Sequence, residues 1–394
     1  MKKVLVINLG WEQEPLLDKL EEYNVEIYGI HYNLDYYKKP KYKDVLITDI
    51  RNLEKILNYA KKINIDAVIS DECDYSYFAQ ALVSESLNLP GPRIKEAQIA
   101  TNKYLQRLKA KEANLLVPEF ALVTSINDIY EFCKNVDFPI IVKPVDNRGS
   151  FGVNKISSKD EIEDAYIDAL INSHSRLVIV EKFIDGEHIT VDGYAFKKYG
   201  VKSLAIANKI LASKDTQVAI EIQYPAKFDK DIYDKISKTN ENINSALGYT
   251  FGMIHSEYMV TKDNEIYLIE SANRGGGVYT SAIIVPHVSR INLVEQYICD
   301  VLEINKSFFK NNIAKNKTIL KFFNLNKGKI KRIDGVEDFS KKEEVLKLRL
   351  LINNGDTISN ITTDADRHGF VIASNEFIDI NKVIEKNIKV IYEK

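Results

Sequence analysis

Short apolar runs, VLVINL, VEIYGI, VLIT and DAVIS, recur through the first ninety residues, separated by helix-like segments such as QEPLLDKLEEY and NLEKILNYAKKI. Strand-length runs alternating with helical segments predict a parallel sheet with helices on its faces. The first run leads into NLGWEQE, with one glycine where a dinucleotide-binding domain carries G-x-G-x-x-G and a later ribose-binding acid. A Rossmann-like shape is therefore expected, without NAD.

Pro90 and Pro92 in LNLPGPR punctuate the chain, and IKEAQIATNKYLQRLKAKEAN after them reads as one Lys- and Ala-containing helix. From Val117 the order becomes strand, helix, strand, glycine loop, strand, helix and strand, ending in RLVIVEKFIDGEHITVDGYAF. The last ninety residues, from KTILKFFNLNKGKIKRI onward, alternate strands and turns, with DRHGFVIAS the clearest strand. The organisation expected is a Rossmann-like N-terminal domain over 1–92, a linker helix over 93–116, a small domain over 117–186, a larger one over 187–305 and a mixed α/β C-terminal subdomain over 306–394. Repeats and low-complexity segments are absent.

Composition narrows the partners. The 394 residues, 45% of them hydrophobic, suffice for two or three cored domains. Lys and Arg number 54 against 56 Asp and Glu, a balance that argues for no nucleic acid and no membrane and favours a small ligand. Cys73, Cys133 and Cys299 are far apart and in no ligand-like spacing, which speaks against disulfides and a zinc site and suits a reducing cytoplasm. The basic N-terminal start is followed by an apolar run that breaks at Gly-Trp-Glu, so it reads as a first strand, and no window approaches the roughly 18–20 apolar residues of a membrane span.

Two stretches carry candidate chemistry. In PIIVKPVDNRGSFGVNKI the lysine precedes the glycines, which excludes a Walker loop. Lys143 ends a strand, and Gly149 and Gly152 allow backbone N–H groups to approach oxygen atoms, so the loop reads as a cover over phosphates; an ordinary hairpin turn with a surface lysine is the plainer alternative. In IHSEYMVTKDNEIYLIESANRGGG, Glu257 and Glu270 each end a strand-like run, and the turn TKDNE makes those runs antiparallel neighbours. Adjacent carboxylates repel unless a cation lies between them, and Glu257, Glu270 and the amide of Asn273 are hard oxygen donors of the kind magnesium takes. Arg274 follows at once, with Gly275, Gly276 and Gly277 open to close backbone approach. His255 alternates to the face of Glu257 and is a substrate or metal-orienting candidate beside His188 and Lys209, with a structural hydrogen-bonding role as the alternative. Arg367 and His368 read as structural.

These motifs together resemble the ATP-grasp superfamily of ATP-dependent ligases, in particular its carbamoyl-phosphate-synthase-like and L-amino-acid ligase branches, over nearly the whole chain. The resemblance implies an α/β and α+β protein: an N-terminal Rossmann-like (pre-ATP-grasp) domain, a lid at 117–186, a large metal-binding subdomain at 187–305 and a mixed C-terminal subdomain. It assigns Lys103 and Lys143 to the phosphates and Arg148, Gly149, Ser150, Phe151 and Gly152 to the lid loop. In VEKFIDGE it gives Glu181 the adenine amine, the backbone from Lys182 through Phe183 and Ile184 the ring edge, and Glu187 the ribose. Metal ligands would be Glu257, Glu270 and Asn273; the catalytic pair would be Arg274 and Lys143; His255, Arg274, Gly275 and Gly276 would meet substrate. Where amino-acid ligases of this kind carry a histidine shortly before a proline, this chain reads VAIEIQYPA, with Ile222 near that place.

The function implied is activation of a small-molecule carboxylate as an acyl phosphate, then capture by an amine, with ATP and two magnesium ions that manganese can replace. A homodimer is compatible with it. A bicarbonate-using carboxylase or carbamoyl-phosphate-type enzyme, and a non-catalytic nucleotide-binding module, are the competing readings.

Overall fold

The apolar runs of the first ninety residues form a four-stranded parallel sheet in the order β3-β2-β1-β4, from β1 (Lys2–Ile7), β2 (Val25–His31), β3 (Tyr42–Ile47) and β4 (Ala67–Ile69). Val4, Leu5, Val6 and Ile7 are all buried because helices cover both faces, as a parallel sheet requires. These helices are α1 (Glu14–Glu21), α2 (Leu53–Ile63) and α3 (Asp74–Ser86). The computed structural model describes residues 1–212, 218–310, 313–359, 361, 363–374 and 379–393.

The expected single helix after Pro92 is two, α4 (Ile94–Ala100) and α5 (Lys103–Glu112). Asn102 interrupts it: its side chain accepts the Leu105 N–H and caps α5, the turn-forming competition with helix typical of Asn. A small antiparallel sheet follows, β5-β8-β6-β7, built from β5 (Phe120–Val123), α6 (Ile126–Phe132), β6 (Ile140–Pro144), β7 (Asn154–Ile156), α7 (Ile162–Ile171) and β8 (Val178–Lys182). This is the element order read from Val117 onward.

The largest sheet has eight strands in the order β13-β12-β9-β10-β11-β14-β18-β16. Its first five strands in sequence are β9 (Glu187–Phe196), β10 (Gly200–Leu211), β11 (Ala219–Tyr224), β12 (Gly252–Val260) and β13 (Ile266–Ala272), with α8 (Lys230–Ala246) between β11 and β12. After α9 (Val285–Ser289) and α10 (Leu293–Val301), β14 (Thr318–Phe322) pairs with β11. The chain then forms β15 (Gly328–Asp334), α11 (Val336–Ser340), β16 (Val345–Leu350), β17 (Thr357–Ile358), β18 (Gly369–Ser374), α12 (Ile380–Asn387) and β19 (Lys389–Tyr392). Strands β14, β18 and β16 continue the large sheet, while β17, β15 and β19 form a small one. The expected boundary at 305/306 thus cuts through one continuous sheet. A sequence scan sees the break in chain direction but not which edge the next strand joins.

Alternation in β9 and β12 gives the large sheet two unlike faces. Ile189 and Val191 of β9 and Ile254 and Tyr258 of β12 pack with Ile236 and Ile243 of α8. The opposite face presents His188, Thr190 and Asp192 from β9 and His255 and Glu257 from β12 before turning apolar at Tyr194 and Phe196. No helix among the described residues is long and apolar enough to cross a membrane.

Candidate active site

The polar end of that second face is the floor of the site. Strands β12 and β13 are joined by a tight turn in which Thr261 donates to the Glu265 carbonyl at 2.9 Å and Asn264 adopts φ 58°. The turn pairs Tyr258 with Leu268, and a bulge at Ile269 then shifts the register by one residue and sets Glu257 directly opposite Glu270. The two carboxylates face the same side, and their side chains are 21% and 33% exposed.

Each is held by side chains from other elements. Glu257 Oε1 pairs with Lys209 Nζ at 2.7 Å and Oε2 with His188 Nε2 at 2.8 Å. Burial pushes the Glu257 carboxyl up, but Lys209 and His188 outweigh this and hold it well below the usual carboxylate range. Glu270 Oε1 accepts from Lys103 Nζ at 2.8 Å, and the same ammonium donates to the Asn147 carbonyl in the glycine loop at 2.6 Å. Beside them Asp192 links His255 Nδ1 at 2.7 Å and the Tyr224 hydroxyl at 2.8 Å. His255 Nε2 lies 3.9 Å from Glu257 Oε1.

Behind this floor is a sealed knot of charge. Glu181, on β8, takes Arg107 Nε at 2.6 Å on one oxygen and Lys143 Nζ at 2.6 Å on the other. Arg107 also donates to the Ile269 carbonyl at 2.5 Å, and its Nη1 has no partner among the described residues. Burial pushes Glu181 up, yet Arg107 and Lys143 together hold its carboxyl below its ordinary value. Burial lowers Lys143, and Arg107 and Lys103 add to that.

One expectation is corrected here. Asn273 is three residues beyond Glu270, so strand alternation turns it to the opposite side from the carboxylate. Its amide is spent in the core, donating to the Phe251 and Met253 carbonyls and accepting from the Tyr77 hydroxyl, so it is not a ligand beside Glu257 and Glu270. Glu181, the residue expected to meet an adenine amine, pairs through one oxygen with Arg107 and through the other with Lys143, the lysine expected at the phosphates.

The other residues lie as follows. Arg274 clasps Asp74, at the start of α3, with Nε at 2.8 Å and Nη2 at 3.1 Å, and donates to the Gly275 carbonyl. Burial works against its charge, but Asp74 outweighs burial and holds the guanidinium proton more firmly than usual. The following turn fits against two side chains: a Cβ on Gly275 would come 2.4 Å from Asp71 Oδ1, and one on Gly276 would come 2.7 Å from His255 Nδ1. Only glycine permits that approach. In the loop, Gly149, Ser150 and Gly152 have φ of 64°, 62° and 69°, Phe151 N–H bonds the Arg148 carbonyl, and the Arg148 guanidinium stands 5.6 Å from the Tyr75 ring centroid. Along the linker after β8, Lys182 Nζ pairs with Glu119, Phe183 N–H bonds the Pro139 carbonyl, Ile184 follows, and Glu187 accepts from Asn208.

Sequence reading missed Arg107, Asp192 and Asp74. Arg107 is four residues after Lys103 on one helix, and Asp192 alternates with His188 and Thr190 on one strand, so periodicity carried both signals. Asp74 carried none, being 200 residues from Arg274.

The residues present fit magnesium. Glu257 and Glu270 set two partly exposed carboxylates, hard oxygen donors, side by side on adjacent strands. No group of three His, Cys, Asp or Glu side chains among the described residues converges as a full metal cage. One or two carboxylates, completed by phosphate oxygens and water, is the arrangement magnesium prefers.

Comparison with known proteins agrees with this arrangement. Residues 136–282 match the family model described as ATP-grasp domain, and residues 321–377 match L-amino acid ligase C-terminal domain 2. The L-arginine-specific L-amino acid ligase of Bacillus subtilis is 23% identical over 321 residues, covering 79% of this chain and 76% of that protein. A D-alanine–D-alanine ligase of Thermosipho africanus is 29% identical over 201 residues, covering 47% of this chain and 54% of its own. The crystal structure of an L-amino acid ligase from Bacillus licheniformis superposes with a TM-score of 0.86 at 20% identity, over 100% of this chain and 99% of that one. The chain therefore carries an ATP-grasp domain at 136–282 and has the fold of that solved L-amino acid ligase.

Proposed function

We propose that this enzyme joins a small-molecule carboxylate to an amine at the expense of ATP. The carboxylate oxygen attacks the γ-phosphorus, the bond to the bridging oxygen breaks, and ADP leaves with an acyl phosphate formed. The amine then attacks the acyl carbon, phosphate departs, and the amine gives up a proton. Hydroxide is a poor leaving group and phosphate a good one, so activation comes first. Such chemistry needs positioning and charge neutralisation rather than a covalent protein nucleophile.

The observation that supports this most is the opposition of Glu257 and Glu270 in register, with Lys103 joining Glu270 to the glycine loop. Glu257 and Glu270 hold magnesium, which offsets phosphate charge when bound; two ions, replaceable by manganese, are the complement we propose. Lys143 leaves Glu181 for the phosphates, and Arg107 keeps Glu181 compensated when it does. Arg274 orients the carboxylate undergoing transfer, its fork steadied by Asp74. Residues 117–186 act as a lid whose glycine loop excludes water that would hydrolyse the acyl phosphate. The relatives named as L-amino acid ligase and D-alanine–D-alanine ligase support an amino acid on at least one side of the new bond.

A screen of carboxylic acids crossed with amines, read by phosphate release and product mass, tests this. Phosphate release with bicarbonate alone favours the carboxylase reading, and ATP binding without turnover under any pairing favours the binding module. In Glu270→Gln the fold stays and turnover at ordinary magnesium falls by at least about 10²-fold, since one ligand oxygen loses its charge. Turnover close to the unaltered enzyme's would remove Glu270 from the metal site.

A further inference from the structure

The carboxylates around the glycine turn 275–277 fall into two kinds. Asp71 accepts the Gly275 N–H at 3.0 Å and the Ser281 hydroxyl at 2.9 Å, Asp74 gives both oxygens to Arg274, and Asp192 is shared by His255 and Tyr224. These are committed to holding the structure. Glu12 is engaged far less: its one hydrogen bond among the described residues is from the Val278 N–H to Oε1, at 3.5 Å.

Its place is nonetheless fixed. Glu12 lies in the short helical turn Trp11–Gln13 beyond β1. On one side Trp11 is wedged between Phe370 and Tyr279, with ring centroids 5.7 and 5.3 Å away. On the other the buried Gln13 donates to the Asp71 carbonyl and accepts the Gly10 N–H. The carboxyl is thereby set against the glycine turn, where a Cβ on Gly277 would stand 3.5 Å from Oε1. Val278, next in the chain, has φ 61°, a left-handed conformation that a β-branched residue keeps only under constraint. Such strain gathers at functional sites.

Three arginines and two acids act on Glu12: Arg148 of the glycine loop, Arg274, Arg367 ahead of β18, Asp71 and Glu72. Burial lifts its carboxyl above the ordinary value, with Asp71 adding to the rise, and Arg148, the Val278 N–H and Arg274 offset only part of it. Glu12 therefore lies in the field of both the lid arginine and the arginine that orients the carboxylate. The bases of the floor are engaged elsewhere: Lys209 and His188 hold Glu257, and His255 is bonded to Asp192.

We propose that Glu12 is the general base of the second half-reaction. As the amine nitrogen bonds to the acyl carbon and the bond to the departing phosphate breaks, the nitrogen's surplus proton passes to the Glu12 carboxylate and from there to water. The proposal rests on the ligase reading above and deepens it. Arg274 and the metal glutamates serve activation, and Glu12, from the N-terminal domain, serves capture. A carboxylate made more basic by burial is nearer the working range of a general base than a solvated one.

The test separates the half-reactions in the full-length enzyme. Hydroxylamine captures an acyl phosphate without help from a base, so hydroxamate formation reads activation alone, while the acid and amine pair from the screen reads both steps. Glu12→Gln should lower kcat for the amine by roughly 10²-fold or more, the contribution of a general base, and leave hydroxamate formation within about threefold of the parent's. Glu12→Asp should recover part of the loss. Because the base works only when ionised, the parent's kcat for the amine should fall more steeply on the acid side than that of Glu12→Gln. Where a melting curve shows Glu12→Gln unfolded, Glu12→Asp carries the comparison, slowing the amine and sparing hydroxylamine. Amide and hydroxamate falling together in a folded variant, or a raised KM for the amine with kcat unchanged, overturns the assignment and leaves the ligase reading standing. Neither hydroxamate nor amide from any acid overturns the ligase reading, and this one with it.

Discussion

Two clusters of carboxylate and cation meet helix α5, one at Lys103 and the other at Arg107, and they differ in one respect. In the Glu181 knot every member is at most 5% exposed, whereas Glu257 and Glu270 are 21% and 33% exposed. Both are ion pairs of good geometry, so geometry does not separate them. Access does. A sealed pair whose partner is removed leaves a charge stranded in the interior, while an open pair can exchange one partner for water, metal or phosphate. The difference teaches that Glu181 is chiefly an element of structure and that the glutamates of β12 and β13 are free to change partners.

Removing Arg107 should show the contrast at its strongest. Arg107→Ala leaves the buried Glu181 with Lys143 alone and empties the guanidinium's place in the interior, and should cost about 3–5 kcal/mol of stability in denaturant unfolding. A loss no larger than that of Lys209→Ala would erase the distinction between the clusters. Asp71 supplies a third case, buried like Glu181 but held by the Gly275 and Glu72 N–H groups and the Ser281 hydroxyl instead of a cation. Burial raises it from 3.8 to about 6. A carboxyl raised on folding keeps its proton in the native state while the unfolded chain loses it, so native stability falls as pH climbs from about 4 to about 6. The full change is about 3 kcal/mol. Asp71→Asn should lack this decline, so its stability relative to the parent should rise across that window; parallel pH curves would mean the carboxyl is not buried as described.

Arg274 belongs to neither cluster, since Asp74 ties it across to the N-terminal sheet. Arg274→Lys should lower kcat by roughly 10²-fold, about 2.7 kcal/mol, with ATP affinity little changed. A lowered melting temperature with full activity per folded molecule would instead make the Asp74 tie its whole role. Lys143 is the smallest expected effect and the sharpest. Lys143→Ala should weaken ATP binding by about 1.5–3 kcal/mol, measured by calorimetry. Unchanged affinity with a stability loss like that of Arg107→Ala would confine Lys143 to the sealed knot.

What was legible in the sequence was local. The antiparallel neighbourhood of β12 and β13 followed from one short turn between two strand-like runs, although the bulge at Ile269 that brings Glu270 opposite Glu257 did not, and the order of elements along the small domain followed from apolar runs and glycines. The direction of Asn273 was equally legible, because an odd offset from Glu270 reverses the face; motif matching overrode the alternation. The Glu181 knot joins residues 107, 143, 181 and 269, and no local pattern announces a contact among four separate elements. The break at Asn102 lay between: a cap residue in the middle of a helical pattern is visible, but its neighbours Ala100 and Lys103 are good helix formers and masked it.

The continuity of the large sheet has a consequence for how the chain comes to be made. Strands β9 to β13 are complete once residue 272 is synthesised, yet β11 then has an open edge until β14 arrives at residues 318–322, and β14 in turn until β18 joins it by residue 374. An emerging chain, or one cut near 305, carries the Ala219–Tyr224 strand with a row of unpaired backbone groups, which is a template for another chain. The last ninety residues are therefore an edge guard during translation as well as part of the finished enzyme, and shortening them invites aggregation before it touches catalysis.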